Sequence, residues 1–108
     1  MTPHEAFAGY RQMHETTRRM LAAARDGEWE GLINLEIERR GIAERLAEPV
    51  DFRGTPLLES KDACIREILE MDGEIRSLTA TWMSEMREML GSLRTQRKVH
   101  HAYGRGSG

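Results

Sequence analysis

Between Leu58 and about Leu93 the chain carries no proline, and its apolar residues recur at helical spacing. Ile65, Ile68, Asp72, Ile75, Thr79, Trp82, Met86, Met89 and Leu93 follow a heptad-like stripe. At 1.5 Å rise per residue this predicts a helix on the order of 50 Å long. A chain of 108 residues that spends so much of itself on one helix has room for a single modest core and shorter partner helices. Gly73 and Gly91 are the weak points, because glycine inside a helix costs roughly 1 kcal/mol relative to alanine. Gly91 is expected to act as the end or hinge, since basic and polar residues follow it. A short fourth helix from about Ser92 to Tyr103 is then expected. It would be marginal alone, because isolated helices below ~12–15 residues are barely stable in water.

Two helices should precede the long one. Thr2-Pro3-His4-Glu5 is a start signal: threonine caps, proline fits the first turn, and glutamate three places on reaches back to the cap. Phe7, Tyr10, His14, Thr17, Leu21 and Ala24 then fall on one face. Asp26-Gly27 stops the helix through a left-handed glycine cap. The second helix is expected from about Trp29 to Ala47, with Trp29, Leu32, Ile33, Glu36, Arg40, Ala43 and Leu46 on one side and Glu36 paired to Arg40. Residues 48–56, with Pro49 and Gly54, read as a loop. The expected fold is all-α: an antiparallel three-helix bundle with a short C-terminal fourth helix. The expected division is a bundle over residues 1–93 and a C-terminal helix and flexible tail over 94–108.

Composition narrows the function. The net charge is −2, which supplies no overall basic field for nucleic acid. The single cysteine, Cys64, excludes an internal disulfide and a cysteine-based zinc site. No apolar run approaches the ~20 residues of a membrane span, and no leader pattern precedes the first helix. A cytoplasmic protein is expected.

The usual catalytic and metal patterns are missing from the chain. It has no Glu-x-x-His pair of the di-iron kind, no P-loop, no dinucleotide glycine motif and no Ser/His/Asp pattern. His100 and His101 are adjacent and point about 100° apart on a helix, so they do not readily grip one ion. His14 on the first apolar face reads as a hydrogen-bonded core residue, and Cys64 as a small hydrophobe. Neither a catalytic residue, a metal ligand nor a cofactor is expected.

Methionine is the more informative residue. Met71, Met83, Met86 and Met89 crowd the second half of the long helix beside Trp82. The thioether chain is flexible and polarisable, and suits surfaces that accept different apolar partners. Met83 lies about 100° from Trp82 and widens the apolar face beyond one bundle contact. Trp82, Met83, Met86 and Met89 are therefore the expected binding surface. The basic residues Arg94, Arg97 and Lys98 suit a helix C-terminus. Tyr103 is not explained that way, because a tyrosine at a fraying end needs something to pack on.

Arg25-Asp-Gly-Glu-Trp-Glu30, Leu35-Glu36 followed by Arg39-Arg40, the long helix ending in Leu90, and Lys98 followed by Ala102-Tyr-Gly104 occur in this order. In these residues the chain resembles the flagellar export chaperone family FliT. The resemblance implies a small cytoplasmic helical bundle that binds the C-terminal region of the filament-cap protein FliD and delivers it to the type III export gate. It further implies contacts with the export ATPase FliI and with FliJ, and in enteric bacteria restraint of the regulator FlhDC. By motif, Arg94, Arg97, Lys98 and Tyr103 match the family's C-terminal regulatory helix, which covers the partner surface until cargo displaces it. Two rival readings stay open: a small all-helical enzyme of chorismate mutase type, whose site would need converging arginines, and a generic helical dimerisation module. Whether the chain forms a homodimer also stays open.

Overall fold

The computed structural model describes the backbone of residues 1–106 and the side chains of residues 1–96. Three helices follow in chain order: α1 (Pro3–Asp26), α2 (Trp29–Arg45) and α3 (Leu58–Gly106). No strand occurs among the described residues. The contacts fall into two units, Met1–Leu78 and Thr79–Gly108.

α1 begins and ends where its sequence signals place it. The Thr2 hydroxyl oxygen accepts from the Glu5 backbone N–H at 3.2 Å, and its proton goes to the Glu5 carboxylate. This satisfies one of the unpaired donors at a helix start. At the other end Gly27 takes φ 72°, ψ 20°. Its N–H bonds back to the Ala24 carbonyl, and the Glu28 N–H bonds to that of Ala23. That pair of bonds is the Schellman closure, which needs a left-handed residue and so favours glycine.

The first unit is an up-down-up bundle. Its register is read from ties between helices. His14 and Arg25 of α1 pair with Glu67 and Glu74 of α3, so these two helices run parallel. Arg39 of α2 reaches Thr17 of α1, and Gly9 of α1 lies against Leu46, just past the end of α2, so α2 runs antiparallel to α1. A β-carbon at Gly9 would stand 2.7 Å from Leu46 Cδ2, so the missing side chain lets the chain approach α1 closely there. The core consists of Met20, Leu21, Ala23 and Ala24 of α1, Leu32 of α2 and Ile75 of α3. Trp29, Leu35, Met71 and Leu78 pack against it. A second apolar point closes the loop end of the bundle. Buried Phe52 meets the Tyr10 ring edge-on, centroids 6.2 Å apart, and Lys61 Nζ lies 5.3 Å from the Phe52 centroid.

Two expectations change. The inward face of α2 is turned by about one residue. Leu32 and Ile42 are buried, and Leu35 and Arg39 face inward beside them, whereas Ile33 is 57% exposed and Glu36 and Arg40 lie on the surface. The reason is that α2 carries isoleucine or leucine at 32, 33, 35, 37 and 42, so apolar spacing alone does not define its phase. The Glu36–Arg40 pair does form, at 3.7 Å, on the outer surface. The second change concerns Gly91. The residues expected as a short fourth helix are helical, and their backbone continues α3 through both Gly73 and Gly91 without a break. Nothing lies within 4 Å of a β-carbon at either glycine. A single helical glycine costs only about 1 kcal/mol, and the hydrogen bonds on either side carry the turn across it. The Thr95 hydroxyl adds one more by donating to the Gly91 carbonyl at 3.0 Å.

Candidate functional site

One polar residue from each helix of the bundle meets the other two in its interior. Thr17 of α1 is fully buried and donates to the Met13 carbonyl at 2.7 Å. Arg39 Nη1 of α2 donates to Thr17 Oγ1 at 3.1 Å and to Asp72 Oδ1 of α3 at 2.6 Å. The Arg39 and Asp72 side chains are each 20% exposed. This explains why Thr17 and Asp72 sit on otherwise apolar stripes. Every other described arginine is exposed. A dicarboxylate site would need several arginines converging on one pocket. Among the described residues the one inward arginine is already engaged by Asp72 and Thr17.

His14 and Cys64 flank an open groove of about 620 Å³, together with Phe7, Arg11, Gln12 and Glu67. His14 Nε2 donates to Glu67 Oε2 at 2.7 Å, so the imidazole ties α1 to α3. Burial pushes the Cys64 thiol above its ordinary range; the Glu67 carboxylate adds to this and Arg11 opposes it. A raised thiol is the reverse of what a nucleophile needs. Since only the thiolate reacts, a raised value means less thiolate at neutral pH. Alkylation of Cys64 by iodoacetamide should therefore run several-fold slower at pH 7.5 than that of an unstructured cysteine peptide, and its pH profile should inflect at higher pH. Mass spectrometry of timed aliquots measures both; an equal or faster rate would contradict the burial argument. Among the described residues no group of three histidine, cysteine or acidic side chains is placed to hold a metal.

The second unit carries the surface most suited to a partner. Met83, Met86 and Met89 are 45%, 36% and 58% exposed, and Leu90 and Leu93 are exposed beside them. Trp82 is half-buried. At about 100° per residue, Trp82, Met83, Met86, Met89, Leu90 and Leu93 fall within an arc of about 120°. No polar residue between 82 and 96 falls inside that arc. Arg87 and Arg94 border it on the Met83 side, and Glu85 and Gln96 on the Met89 side. This is an amphipathic face with one basic edge. Contiguous exposed methionine and leucine are more common at interaction sites than on ordinary surface.

All four residues expected to form a binding surface thus share one helical face. Of the expected tail residues, Arg94 is exposed, and the side chains of Arg97, Lys98 and Tyr103 lie outside the described residues. Sequence reasoning missed Leu90 as part of this face, and it missed Ile33 and Ile37, which are exposed four residues apart on one side of α2. For Leu90 the signal was available, since it lies between Met86 and Met83 on the helical wheel. For Ile33 it was not, because the phase of α2 was ambiguous.

Fold and surface together define a small all-helical protein with an exposed apolar face on its third helix. The family model "Flagellar protein FliT" matches residues 7–105, and the chain belongs to that family. A flagellar protein FliT of Serratia proteamaculans is 28% identical over 105 residues, covering 93% of this chain and 84% of that protein. The flagellar protein FliT of Escherichia coli K12 is 30% identical over 105 residues, covering 94% and 85%. No solved structure matches the chain. No helix among the described residues is long and apolar enough to cross a membrane.

Proposed function

We propose that the chain is a non-enzymatic chaperone of flagellar type III export. It acts in the cytoplasm and holds the C-terminal region of the filament-cap protein FliD. The observation that carries this reading is the exposed arc of Trp82, Met83, Met86, Met89, Leu90 and Leu93 in a chain of the FliT family. An amphipathic helix of the cargo lays its apolar side along that arc, as in other helix-in-groove complexes. The basic edge of Arg87 and Arg94 favours cargo with acidic residues along one flank. Binding hides an apolar cargo segment until it is handed to the export ATPase FliI with FliJ. Restraint of FlhDC, which the family resemblance implies for enteric bacteria, belongs to the same proposal. The test is calorimetry of the full chain with a peptide of the FliD C-terminal region from the same organism. Saturable one-to-one binding per chain is expected; absence of binding, with no flagellar export component recovered in a pull-down, overturns the reading.

Residues 94–108 act as a regulatory tail, with Arg94, Arg97, Lys98 and Tyr103 as its contacts. A tail that covers the arc requires α3 to open near Gly91; the part of the population in that closed state lowers the apparent affinity by its fraction. Removing residues 95–108, which keeps Arg94 of the basic edge, should then tighten FliD-peptide binding several-fold, and Tyr103→Ala should do part of the same. A deletion that leaves FliD affinity unchanged but weakens binding to FliI or FlhDC would identify the tail as a direct contact for those partners instead.

A further inference from the structure

We propose that Met83, Met86 and Met89 form a reversible oxidation site, and that peroxide acting there switches off the apolar surface of the second unit. The consequence for cargo rests on the function proposed above; the chemistry rests on the placement of the sulfurs alone.

The three methionines are spaced three apart, so their side chains spread across the exposed arc from one edge to the other. All three are exposed, while Met20 is buried in the bundle core and Met13 and Met71 are half-buried. The exposed thioethers are therefore the ones within reach of a small oxidant in solution, with Met1 at the chain start. The sulfur attacks one oxygen of hydrogen peroxide with a lone pair. A sulfur–oxygen bond forms, the peroxide O–O bond breaks, and the other oxygen leaves as water. The sulfur loses two electrons and the peroxide gains them. Methionine becomes its sulfoxide, which a dithiol reductase returns to the thioether, leaving a disulfide and water.

The effect on the surface follows from polarity. A sulfoxide is polar and chiral, and accepts hydrogen bonds from water. Three of them across one arc leave only Trp82, Leu90 and Leu93 as apolar contacts. A partner helix docking there would have to strip water from three sulfoxide oxygens without repaying those bonds. Met20, the methionine buried in the core cluster, is shielded, and Met13 and Met71 are half-buried, so the bundle is slower to oxidise than the exposed arc. Folding and partner binding are in this way separated under oxidative stress. Of the apolar residues on the arc, methionine is the one that peroxide converts to a polar side chain, so its use at three of these positions makes the surface responsive.

The test treats the full chain with dilute hydrogen peroxide and follows each methionine by peptide mass spectrometry. Met83, Met86 and Met89 should oxidise about ten times faster than Met20. Circular dichroism should show the helical content retained. Binding of the FliD C-terminal peptide should fall by at least about tenfold on oxidation and return after treatment with methionine sulfoxide reductase. The triple variant Met83→Leu, Met86→Leu, Met89→Leu should lose the response: whatever dye and peptide binding it shows before peroxide should be the same after it. An apolar reporter dye, anilinonaphthalene sulfonate, is measured in parallel. If the reduced chain fails to bind the FliD peptide, the chaperone reading is wrong, and loss of dye binding on oxidation still supports the switch. Oxidation of Met20 as fast as the exposed three, or peptide and dye binding unchanged by complete oxidation of the three, would overturn it.

Discussion

Asp72→Ala should lower the unfolding free energy of the bundle by about 2–3 kcal/mol, although Asp72 lies on the otherwise apolar stripe of α3. The carboxylate holds Arg39, which otherwise sits inside the bundle with only Thr17 as an acceptor. Removing one partner of a buried charged pair typically costs 3–5 kcal/mol, because the remaining charge is left without its counterion. Both side chains here keep 20% exposure, so water recovers part of that loss and the lower figure applies. The double variant Arg39→Met, Asp72→Leu removes both charges and should return to within about 1 kcal/mol of the parent chain. Glu74→Ala provides the comparison. It breaks the Arg25–Glu74 pair, which also ties α1 to α3 but lies on the surface, and should cost less than about 1 kcal/mol. Urea denaturation followed by helical ellipticity reads all three. An Asp72→Ala effect no larger than that of Glu74→Ala would mean that the polar contact among the three helices is incidental.

The second large effect concerns binding. Met83→Glu combined with Met89→Glu should weaken FliD-peptide affinity by about a hundredfold while leaving the melting temperature within a few degrees. The two residues mark opposite edges of the exposed arc, so a carboxylate at each confines the apolar strip from both sides. Each new charge must be stripped of water when an apolar helix docks, and a hundredfold loss corresponds to about 2.7 kcal/mol over two sites. Stability should hardly change, because glutamate is a good helix former and both positions are exposed. Calorimetry measures the affinity, and a thermal melt on the same samples separates binding from folding. Unchanged affinity in a folded variant would place the cargo surface elsewhere, and exposed Ile33 and Ile37 on α2 would be the next residues to test.

How much of this was legible in the chain varies by element. α1 could be read almost to the residue, because its ends are chemically specific. Thr2 supplies the cap, Pro3 fits the first turn, and Gly27 is the residue that takes φ 72° cheaply. The long helix and its stripe were equally plain, since nothing from Leu58 onward forbids helix. Its end was not: Gly91 reads as a stop only where a capping partner takes over, and in the structure the helical bonds run on. Thr17 and Asp72 were visible as polar residues on apolar faces, but their reason was not. That depended on Arg39, which lies 22 and 33 residues away along the chain.

The binding face shows the same division. Periodicity alone put Trp82, Met83, Met86 and Met89 on one side of one helix, because helical geometry is local and the spacing between residues determines it. Whether such a face is core or surface is a matter of what packs against it. The stripe that buries Ile68 and Ile75 in the bundle leaves Met86 and Met89 exposed further along the same helix, although the pattern does not change between them. The phase of α2 was decided in the same way, by Leu32 packing with Ile75 and by Arg39 reaching Asp72. Sequence by itself therefore determined where helices form and which residues share a face, since both depend on neighbours within a turn or two. Burial depends on chains brought together from far apart in sequence, and only the tertiary structure decided which of those faces remain open to a partner.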